Sequence, residues 1–215
     1  MEKLDKFIEF ETKYRIDGAK IYQFKDLILK LGREFTFLYV EGPDEYFTKP
    51  DGSFLRYRKS PMDKTGRAEL TLKQKPAGAS NNRIRKEVNL RVDKNSQATV
   101  YEFASMNGFE FNFRISKMCH IYFFNDANIV FYTVTSEDKD VQHFIEIELD
   151  EEKIHTLTED QAWGIIKSYE TILEPLGITY RNRLNKSLYE MYVKDIYKAP
   201  ENVTPIISEV QSAKS

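Results

Sequence analysis

The stretch that decides the fold is Phe7-Ile8-Glu9-Phe10-Glu11-Thr12-Lys13-Tyr14. Its charged residues Glu9, Glu11 and Lys13 stand at every second position, with apolar or neutral residues between them. Successive side chains of a β-strand point to opposite faces, so two carboxylates and one ammonium group share a face. The alternation therefore predicts a strand with one charged face and one largely apolar face.

The same alternation recurs in later stretches that we predict to be strands. Their charged faces carry Arg56 and Arg58 in 53–58, Glu69, Lys73 and Lys75 in 68–75, Arg83, Arg85 and Glu87 in 82–90, Lys117 in 109–124, and Glu146 and Glu148 in 142–149. Taken singly, each pattern is also typical of a strand whose charged face lies in water. Its repetition over so many strands favours one shared, enclosed surface.

Apolar residues at helical spacing predict helices over 19–31, 96–106 and 159–174, and a last helical stretch over 182–196. Gly42-Pro43-Asp44 predicts a bend between two strands. The apolar stripes of the first three helices need a surface to cover, and the outer faces of the strands supply it. We therefore predict an α+β fold: a closed antiparallel eight-stranded β-barrel with a polar interior and helices packed on its outside.

The composition bounds the class of protein. With 215 residues, 41% of them hydrophobic, the chain suffices for one domain, which we predict over 1–197, followed by a flexible tail over 198–215. A net charge of −2 argues against a globally basic nucleic-acid binder, and the single Cys119 excludes an intrachain disulfide. There is no apolar run of membrane-span length and no signal-peptide core, so we predict a soluble, cytoplasmic protein without a membrane partner.

A polar barrel interior with this many charges would be costly unless the charges were paired or a ligand filled the space. Divalent cations would satisfy the carboxylates, and a polyphosphate would satisfy the lysines and arginines. The residues alone thus predict either an internal network of ion pairs or a site for a metal and a phosphorylated ligand.

The charged motifs also follow one another in a known order. Glu9-Phe10-Glu11-Thr12-Lys13 resembles the N-terminal ExExK signature of the CYTH superfamily, the triphosphate tunnel metalloenzymes. The later matching segments are Arg56-Tyr57-Arg58, Leu70-Thr71-Leu72-Lys73-Gln74, Arg83-Ile84-Arg85-Lys86-Glu87, Lys117, Glu146-Ile147-Glu148 and Lys186-Ser187-Leu188-Tyr189-Glu190. The resemblance extends over about residues 5 to 193, which is most of the chain.

The resemblance implies a role for each matching residue. Glu9, Glu11, Glu146 and Glu148 would coordinate Mg²⁺ or Mn²⁺, hard cations that prefer oxygen ligands, and with Lys13 they would form the catalytic set. The substrate's phosphates would be bound by Lys13, Arg56, Arg58, Lys73, Lys75, Arg83, Arg85, Lys117 and Lys186. Lys186 would close one mouth of the tunnel.

Two positions depart from the family pattern. The family's Lys-x-Arg strand reads Lys117-Met118-Cys119 here, so one guanidinium is replaced by a thiol unless Arg114 or His120 substitutes for it. The family also places an Asp on the strand before the last pair of glutamates, where this chain has Phe131-Tyr132-Thr133. Both departures fall where the family contacts its ligand, so they bear on the substrate and on catalysis.

The function that the resemblance implies is metal-dependent hydrolysis of a triphosphate. The substrate would be inorganic triphosphate, a nucleoside or thiamine triphosphate, or the triphosphorylated 5′ end of an RNA. Two alternatives remain open: a class IV-like adenylate cyclase, which forms cyclic AMP and pyrophosphate from ATP, and a binder of nucleotides or polyphosphate without catalysis. The sequence leaves both a monomer and a homodimer open.

Overall fold

We analysed a computed structural model, which describes residues 3–4, 7–59, 67–74 and 84–194; of residues 84 and 85 it describes only the backbone. The strands are β1 (Ile8–Ile16), β2 (Thr36–Thr48), β3 (Phe54–Lys59), β4 (Ala68–Gln74), β5 (Ile84–Arg91), β6 (Glu110–Phe123), β7 (Ala127–Thr135), β8 (Gln142–Leu149) and β9 (Arg183–Leu184). The α-helices are α1 (Ile21–Lys30), α2 (Gln97–Met106), α3 (Glu159–Leu173) and α4 (Leu188–Tyr192). Short 3₁₀ turns cover Gly18–Lys20, Ile154–Thr156, Glu174–Leu176 and Tyr180–Asn182.

The strands close into the antiparallel barrel that the sequence predicts. The order β5-β4-β3-β2-β6-β7-β8-β1 is completed by pairing of β1 with β5, which makes eight strands in a ring. Strand β1 is the seam, because it pairs with β5 near Glu9 and with β8 from Glu11 onward. The short β9 adds to β1 opposite Lys13 and Tyr14. Closure therefore places β1, the first strand, between β5 and β8, which lie far from it in sequence.

The alternation in β1 determines which side chains enter the barrel. Glu9, Glu11 and Lys13 line a cavity in the interior. Phe10 and Tyr14, from the other face, are buried in the core between barrel and helices. The prediction that the charged face lies inside is therefore confirmed, and the alternative of a solvated charged face is wrong for this strand.

Helices α1 and α3 cover one side of the barrel. Phe24 and Ile28 of α1, and Ile166 and Leu173 of α3, are fully buried against the outward faces of β1, β6, β7 and β8. Thr158 caps α3 in a capping box with Gln161. Helix α2 covers another side, where Val100 and Ala104 pack on Phe47, Leu55 and Leu70 of β2, β3 and β4. The helices thus lie on the outside of the barrel, as predicted.

Helix α4 fills one end of the barrel. The ring of Tyr189 stacks on Phe54 with 4.1 Å between centroids, and its hydroxyl lies 2.5 Å from the Thr48 hydroxyl. Leu188 and Tyr192 join the same apolar cluster. After α4 the chain is tied to β6, because the Lys194 backbone and the Asn112 amide exchange two hydrogen bonds of 2.8 Å.

Two local predictions are wrong. Gly42-Pro43-Asp44 does not separate two strands but lies inside the continuous β2, where pairing with β3 begins only at Asp44. Proline is tolerated there because, on that side, the strand is not yet paired with β3. The helix predicted over 182–196 is replaced by β9 and the five-residue α4. Ser187 caps α4 and so sets its late start.

A buried ion pair holds β9 and α3 together outside the cavity. The side chains of Glu170 and Arg183 are each 8% exposed, and Arg183 Nη2 donates to Glu170 Oε2 at 2.6 Å. The Tyr14 hydroxyl also donates to Glu170, and the Arg183 guanidinium lies 4.7 Å above the Trp163 ring. The network connects the barrel, α3 and β9 without using any residue of the cavity.

Glu170→Ala is expected to lower the free energy of unfolding by about 3 to 5 kcal/mol, because it leaves Arg183 buried without its counter-charge. The matched control is Asp26→Ala, which breaks the Lys30–Asp26 pair on the surface of α1, where the side chains are 69% and 58% exposed. That change should cost about 0.5 kcal/mol or less. Urea unfolding of both variants checks the difference, and equal losses would contradict the structural role of Glu170.

None of the helices in the described part of the chain is both long and apolar enough to cross a membrane. The predicted tail over 198–215 lies outside the described residues, and the domain limits and cytoplasmic location stay predictions.

Candidate active site

The barrel encloses a cavity of about 320 Å³, which we call the interior cavity. Its charged lining consists of Glu9, Glu11, Glu69, Glu87, Glu146, Glu148 and Glu151 with Lys13, Arg56, Arg58, Lys73 and Lys117. At the end filled by α4, it is bounded by Ser187, Leu188 and Tyr189. Among the described lining residues, seven carboxylates face five cations, so acid groups outnumber basic ones in the described part of the lining.

The excess acid is concentrated where β1 meets β8. Glu11 and Glu148 are directly opposite each other in the antiparallel register. Burial raises the pKa of Glu148 well above its usual value of 4.5, and the neighbouring Glu9 and Glu11 raise it further. Burial and Glu9 likewise raise the pKa of Glu11. Two carboxyl groups that resist ionisation side by side form a site that favours an added positive charge.

The next pair along β1 and β8 consists of Lys13 and Glu146, which neutralise each other. Lys13, 5% exposed, lies opposite Glu146 and 2.8 Å from its carboxylate. Burial would raise the pKa of Glu146, but Lys13 and Lys117 outweigh it and lower that pKa to about 2. The Tyr132 hydroxyl donates a further hydrogen bond of 2.8 Å to Glu146. Glu146 is therefore held as a carboxylate. Glu148, two residues further along β8, has a raised pKa instead.

Lys73 bridges two carboxylates on the opposite side of the seam. Its ammonium group lies 2.5 Å from Glu9 Oε1 and 2.6 Å from Glu87 Oε2. Burial opposes the charge on Lys73, but Glu9 and Glu87 outweigh it and raise its pKa. Burial also opposes ionisation of Glu87, yet Lys73 and Arg56 lower its pKa. The interior thus keeps Lys73 and Glu87 charged by mutual neutralisation, and Glu9 is a second partner of Lys73.

The two arginines of β3 are held differently. Arg58 donates from Nε and Nη2 to the two oxygens of Asp44 at 2.6 and 2.7 Å. Asp44 is 1% exposed; burial alone would raise its pKa, but Arg58 holds that pKa well below its usual value. Arg56 lies 3.3 Å from Glu69 and 3.0 Å from the Thr71 hydroxyl. Arg56 Nε is buried without a hydrogen-bond partner among the described residues, so this guanidinium retains capacity to bind an anion.

Strand β6 contains Lys117-Met118-Cys119, the segment that departs from the family's Lys-x-Arg pattern. Lys117 and Cys119 both line the interior cavity, and burial raises the pKa of the Cys119 thiol. Arg114 does not replace the absent guanidinium, because its side chain is 60% exposed and points toward Glu45 outside the cavity. His120 lies on the other face of β6, against Phe37 and Tyr39. Neither substitution considered from the sequence takes place.

The acid groups fit a hard divalent cation. Across 3–4, 7–59, 67–74 and 84–194, no three His, Cys, Asp or Glu side chains converge as a ready-made cage. Mg²⁺ is usually held by one or two carboxylates together with substrate phosphates and waters, so a complete cage is not required. Glu11 and Glu148, which lie opposite each other and both line the interior cavity, would supply such a donor pair.

Comparison with known proteins supports the same architecture. No protein family model and no curated protein shows a significant match to the chain. Among solved structures, PH1012 from Pyrococcus horikoshii OT3 is 23% identical, with 86% of this chain and 99% of that chain covered and a TM-score of 0.60. A candidate adenylyl cyclase from Hippeastrum, described as having a dominant triphosphatase activity, is 15% identical, covering 86% and 94% with a TM-score of 0.56. The Mimivirus capping enzyme triphosphatase is 14% identical, covering 77% and 90% with a TM-score of 0.53.

The chain has the same closed-barrel fold as these proteins. At these identities the likeness establishes the fold alone, and it is the fold that the resemblance to the CYTH superfamily implies.

Most of the predicted site residues come together in the interior cavity. All four predicted metal ligands line the interior cavity, as do the basic residues Lys13, Arg56, Arg58, Lys73 and Lys117. Lys186 is exposed beside α4 and does not belong to the lining; the mouth it was expected to close is filled by Tyr189. Lys75, Arg83 and the side chain of Arg85 lie outside the described residues. The roles of all these residues stay predictions.

Sequence reasoning does not single out three residues that line the interior cavity or contact its lining: Asp44, Glu69 and Tyr132. Asp44 was assigned to a bend, although Asp44 and Tyr46 continue the inward face of β2 at the same period of two. Glu69 was noted only as part of an alternating strand. Tyr132 was noted as a departure from the expected Asp, but its hydroxyl reaches Glu146 and its ring lies 4.1 Å from the Lys117 ammonium.

Proposed function

We propose that this protein is a metal-dependent hydrolase of a triphosphate-containing substrate. The observation that carries the proposal is the division of the interior cavity into an acid pair with raised pKa values, Glu11 and Glu148, and a set of buried cations. A polyphosphate bound with divalent cations complements both halves at once.

The side chains would perform the reaction by positioning and by balancing charge. Lys13, Lys73 and Arg56 would bind phosphate oxygens as ions, and Arg58 would present a guanidinium whose orientation Asp44 fixes. A divalent ion bound by Glu11 and Glu148 would supply Lewis-acid polarisation of the phosphate chain and activation of water. The cations would stabilise the charge that develops on the leaving diphosphate. The largely enclosed barrel would limit the access of bulk water to these groups.

Metal and triphosphate are expected to bind cooperatively. Without them, Glu146 and Glu11 hold Lys13, while Glu9 and Glu87 hold Lys73. If Glu11 and Glu148 held a metal, Glu11 would be drawn from Lys13 and the local negative charge would fall, which would free Lys13 for phosphate. Mg²⁺ should therefore tighten binding of a non-hydrolysable triphosphate analogue by about 5- to 150-fold. Calorimetric titration with and without Mg²⁺ measures this coupling. Equal affinities would contradict the proposed exchange of partners.

The function is tested by incubating the protein with tripolyphosphate, ATP, thiamine triphosphate and 5′-triphosphorylated RNA, each with Mg²⁺ or Mn²⁺, and resolving the products. Orthophosphate released with a diphosphate product supports the hydrolase. Cyclic AMP with pyrophosphate and no orthophosphate would instead support the class IV-like cyclase. Absence of both turnover and binding for every triphosphate would overturn the proposal.

A binder without catalysis is the second candidate. Cys119 lines the cavity where the family pattern has an arginine, and neither Arg114 nor His120 replaces that charge. One fewer guanidinium weakens stabilisation of transition-state charge more than it weakens binding held by the remaining cations. Tight binding of a triphosphate with no product under either metal would select this candidate. Restoration of turnover by Cys119→Arg would identify the thiol as the cause.

A further inference from the structure

A second cavity of about 280 Å³ adjoins the interior cavity, and we call it the apolar chamber. Its lining is Leu38, Val40, Gly42, Arg58, Arg67, Ala68, Glu69, Arg91, Lys117, Cys119 and Ile121. The two cavities adjoin each other, because both are lined by Arg58, Glu69, Lys117, Cys119 and Ile121. Nothing in the proposed hydrolysis of a phosphate chain uses the apolar side chains of this space.

We propose that the apolar chamber receives the uncharged aromatic base of a nucleoside triphosphate, so that the substrate is a nucleoside triphosphate rather than inorganic or thiamine triphosphate. This inference rests on the proposed function and adds the group to which the triphosphate is esterified. Arg58 and Lys117 stand where the cavities join, which is where the phosphate nearest the ester would lie. The organic group would then extend toward Leu38 and Val40.

The opposite end of the barrel offers no comparable place. The ring of Phe54 faces the interior cavity there, but Tyr189 stacks on it at 4.1 Å and an interplanar angle of 8°. An organic group at this end would have to displace Tyr189, whose hydroxyl is also bonded to Thr48. The apolar chamber requires no such rearrangement within the described residues.

The charges around the chamber distinguish among organic groups. Four cationic side chains, Arg58, Arg67, Arg91 and Lys117, line it with one carboxylate, Glu69. Asp44 pairs with Arg58 and Asp93 pairs with Arg91, so the described residues at the chamber still include more cations than carboxylates. A thiazolium cation, as in thiamine triphosphate, is disfavoured here, whereas a neutral base can stack on a guanidinium plane. An aliphatic and guanidinium lining therefore fits a nucleobase.

The test measures KM and kcat for ATP, thiamine triphosphate and tripolyphosphate with the wild type, Leu38→Gln and Phe37→Gln. Leu38 is 41% exposed and lines the chamber; Phe37, the matched control, is 47% exposed on the other face of β2. Leu38→Gln should raise KM for ATP between about five- and tenfold, the loss expected for one partly exposed leucine contact. KM for tripolyphosphate should change less than about twofold, and Phe37→Gln should leave both unchanged.

Leu38→Ala is measured in the same way. If Leu38→Gln fails to fold, Leu38→Ala provides the test, and it should raise KM for ATP by the same factor. If the protein binds without turnover, dissociation constants take the place of KM. The inference is overturned if tripolyphosphate or thiamine triphosphate is preferred to ATP, or if Leu38 variants leave the ratio of ATP to tripolyphosphate unchanged. Those results would leave triphosphate hydrolysis intact, whereas failure of every triphosphate to bind or react overturns the proposed function itself.

Discussion

Glu148→Gln is expected to lower triphosphate turnover by about a thousandfold while making the metal-free protein more stable. The loss of turnover follows from removing a metal ligand, because a bound metal supplies several kcal/mol of transition-state stabilisation. The gain in stability follows from the environment of Glu148, where burial, Glu9 and Glu11 raise its pKa well above 4.5. An uncharged amide of similar shape avoids that penalty.

The stability difference should depend on pH with a definite sign. Since the folded-state pKa of Glu148 lies above 4.5, the folded protein binds the proton more tightly than the unfolded chain does. The penalty is absent well below pH 4.5, grows as the pH rises toward the folded pKa, and is complete above it. Urea unfolding in EDTA between pH 5 and 8 should show the variant's advantage increasing with pH, by about 1.4 kcal/mol for each unit by which the pKa is raised.

The matched control is Glu151→Gln, which removes an exposed carboxylate at the margin of the same cavity. It should leave turnover within a few-fold and stability within about 0.5 kcal/mol of the wild type. Added Mg²⁺ should raise the melting temperature of the wild type and of Glu151→Gln but not of Glu148→Gln. A Glu148→Gln protein that retains turnover, or is less stable without metal, would contradict the assignment of this acid pair.

The fold could be predicted because its main signal is local. Alternation in Glu9, Glu11 and Lys13 determines the two faces of one strand, and the repetition of the pattern favours a shared interior for the charged faces. The helices could be placed because their apolar stripes and caps, such as Thr158 before α3, are also local. Closure between β1 and β5 then follows from the need to cover every strand edge.

The counter-charges of the site could not be predicted in the same way, because they depend on register between distant strands. Asp44 meets Arg58 only because β2 and β3 pair with these two residues opposite each other. The sequence does not reveal this pairing, because Gly42-Pro43 indicates a turn when no neighbouring strand is known. The plug formed by Tyr189 was equally hidden, because a helix of five residues gives almost no periodic signal.

Arg58→Met is expected to lower the free energy of unfolding by about 3 to 5 kcal/mol at neutral pH, the usual cost of leaving one member of a buried pair alone. In the wild type the folded-state pKa of Asp44 lies below 3.8, so the pair stabilises the protein above that value and ceases to do so as the pH falls through the folded pKa. In the variant, burial of Asp44 is opposed only by Lys117 and Arg56. The deficit relative to wild type should therefore be full from neutral pH down to about pH 4 and shrink only as the pH falls further below 3.8, as urea unfolding between pH 7 and pH 2 would show.

The double variant Asp44→Asn/Arg58→Met separates the structural cost from the functional one. It has no orphaned carboxylate, so it should recover most of the lost stability, yet it should bind a triphosphate analogue as weakly as Arg58→Met because the guanidinium is absent. Asp44→Asn alone retains the guanidinium but orients it less firmly. In the wild type, Arg58 Nε and Nη2 bond to the Asp44 carboxylate and Nη1 does not, and this variant loses that ion pair. It should raise KM with less effect than removal of Arg58. If the double variant bound the analogue as tightly as wild type, Arg58 would be a partner for Asp44 only, and phosphate would be held by Lys13, Lys73 and Arg56.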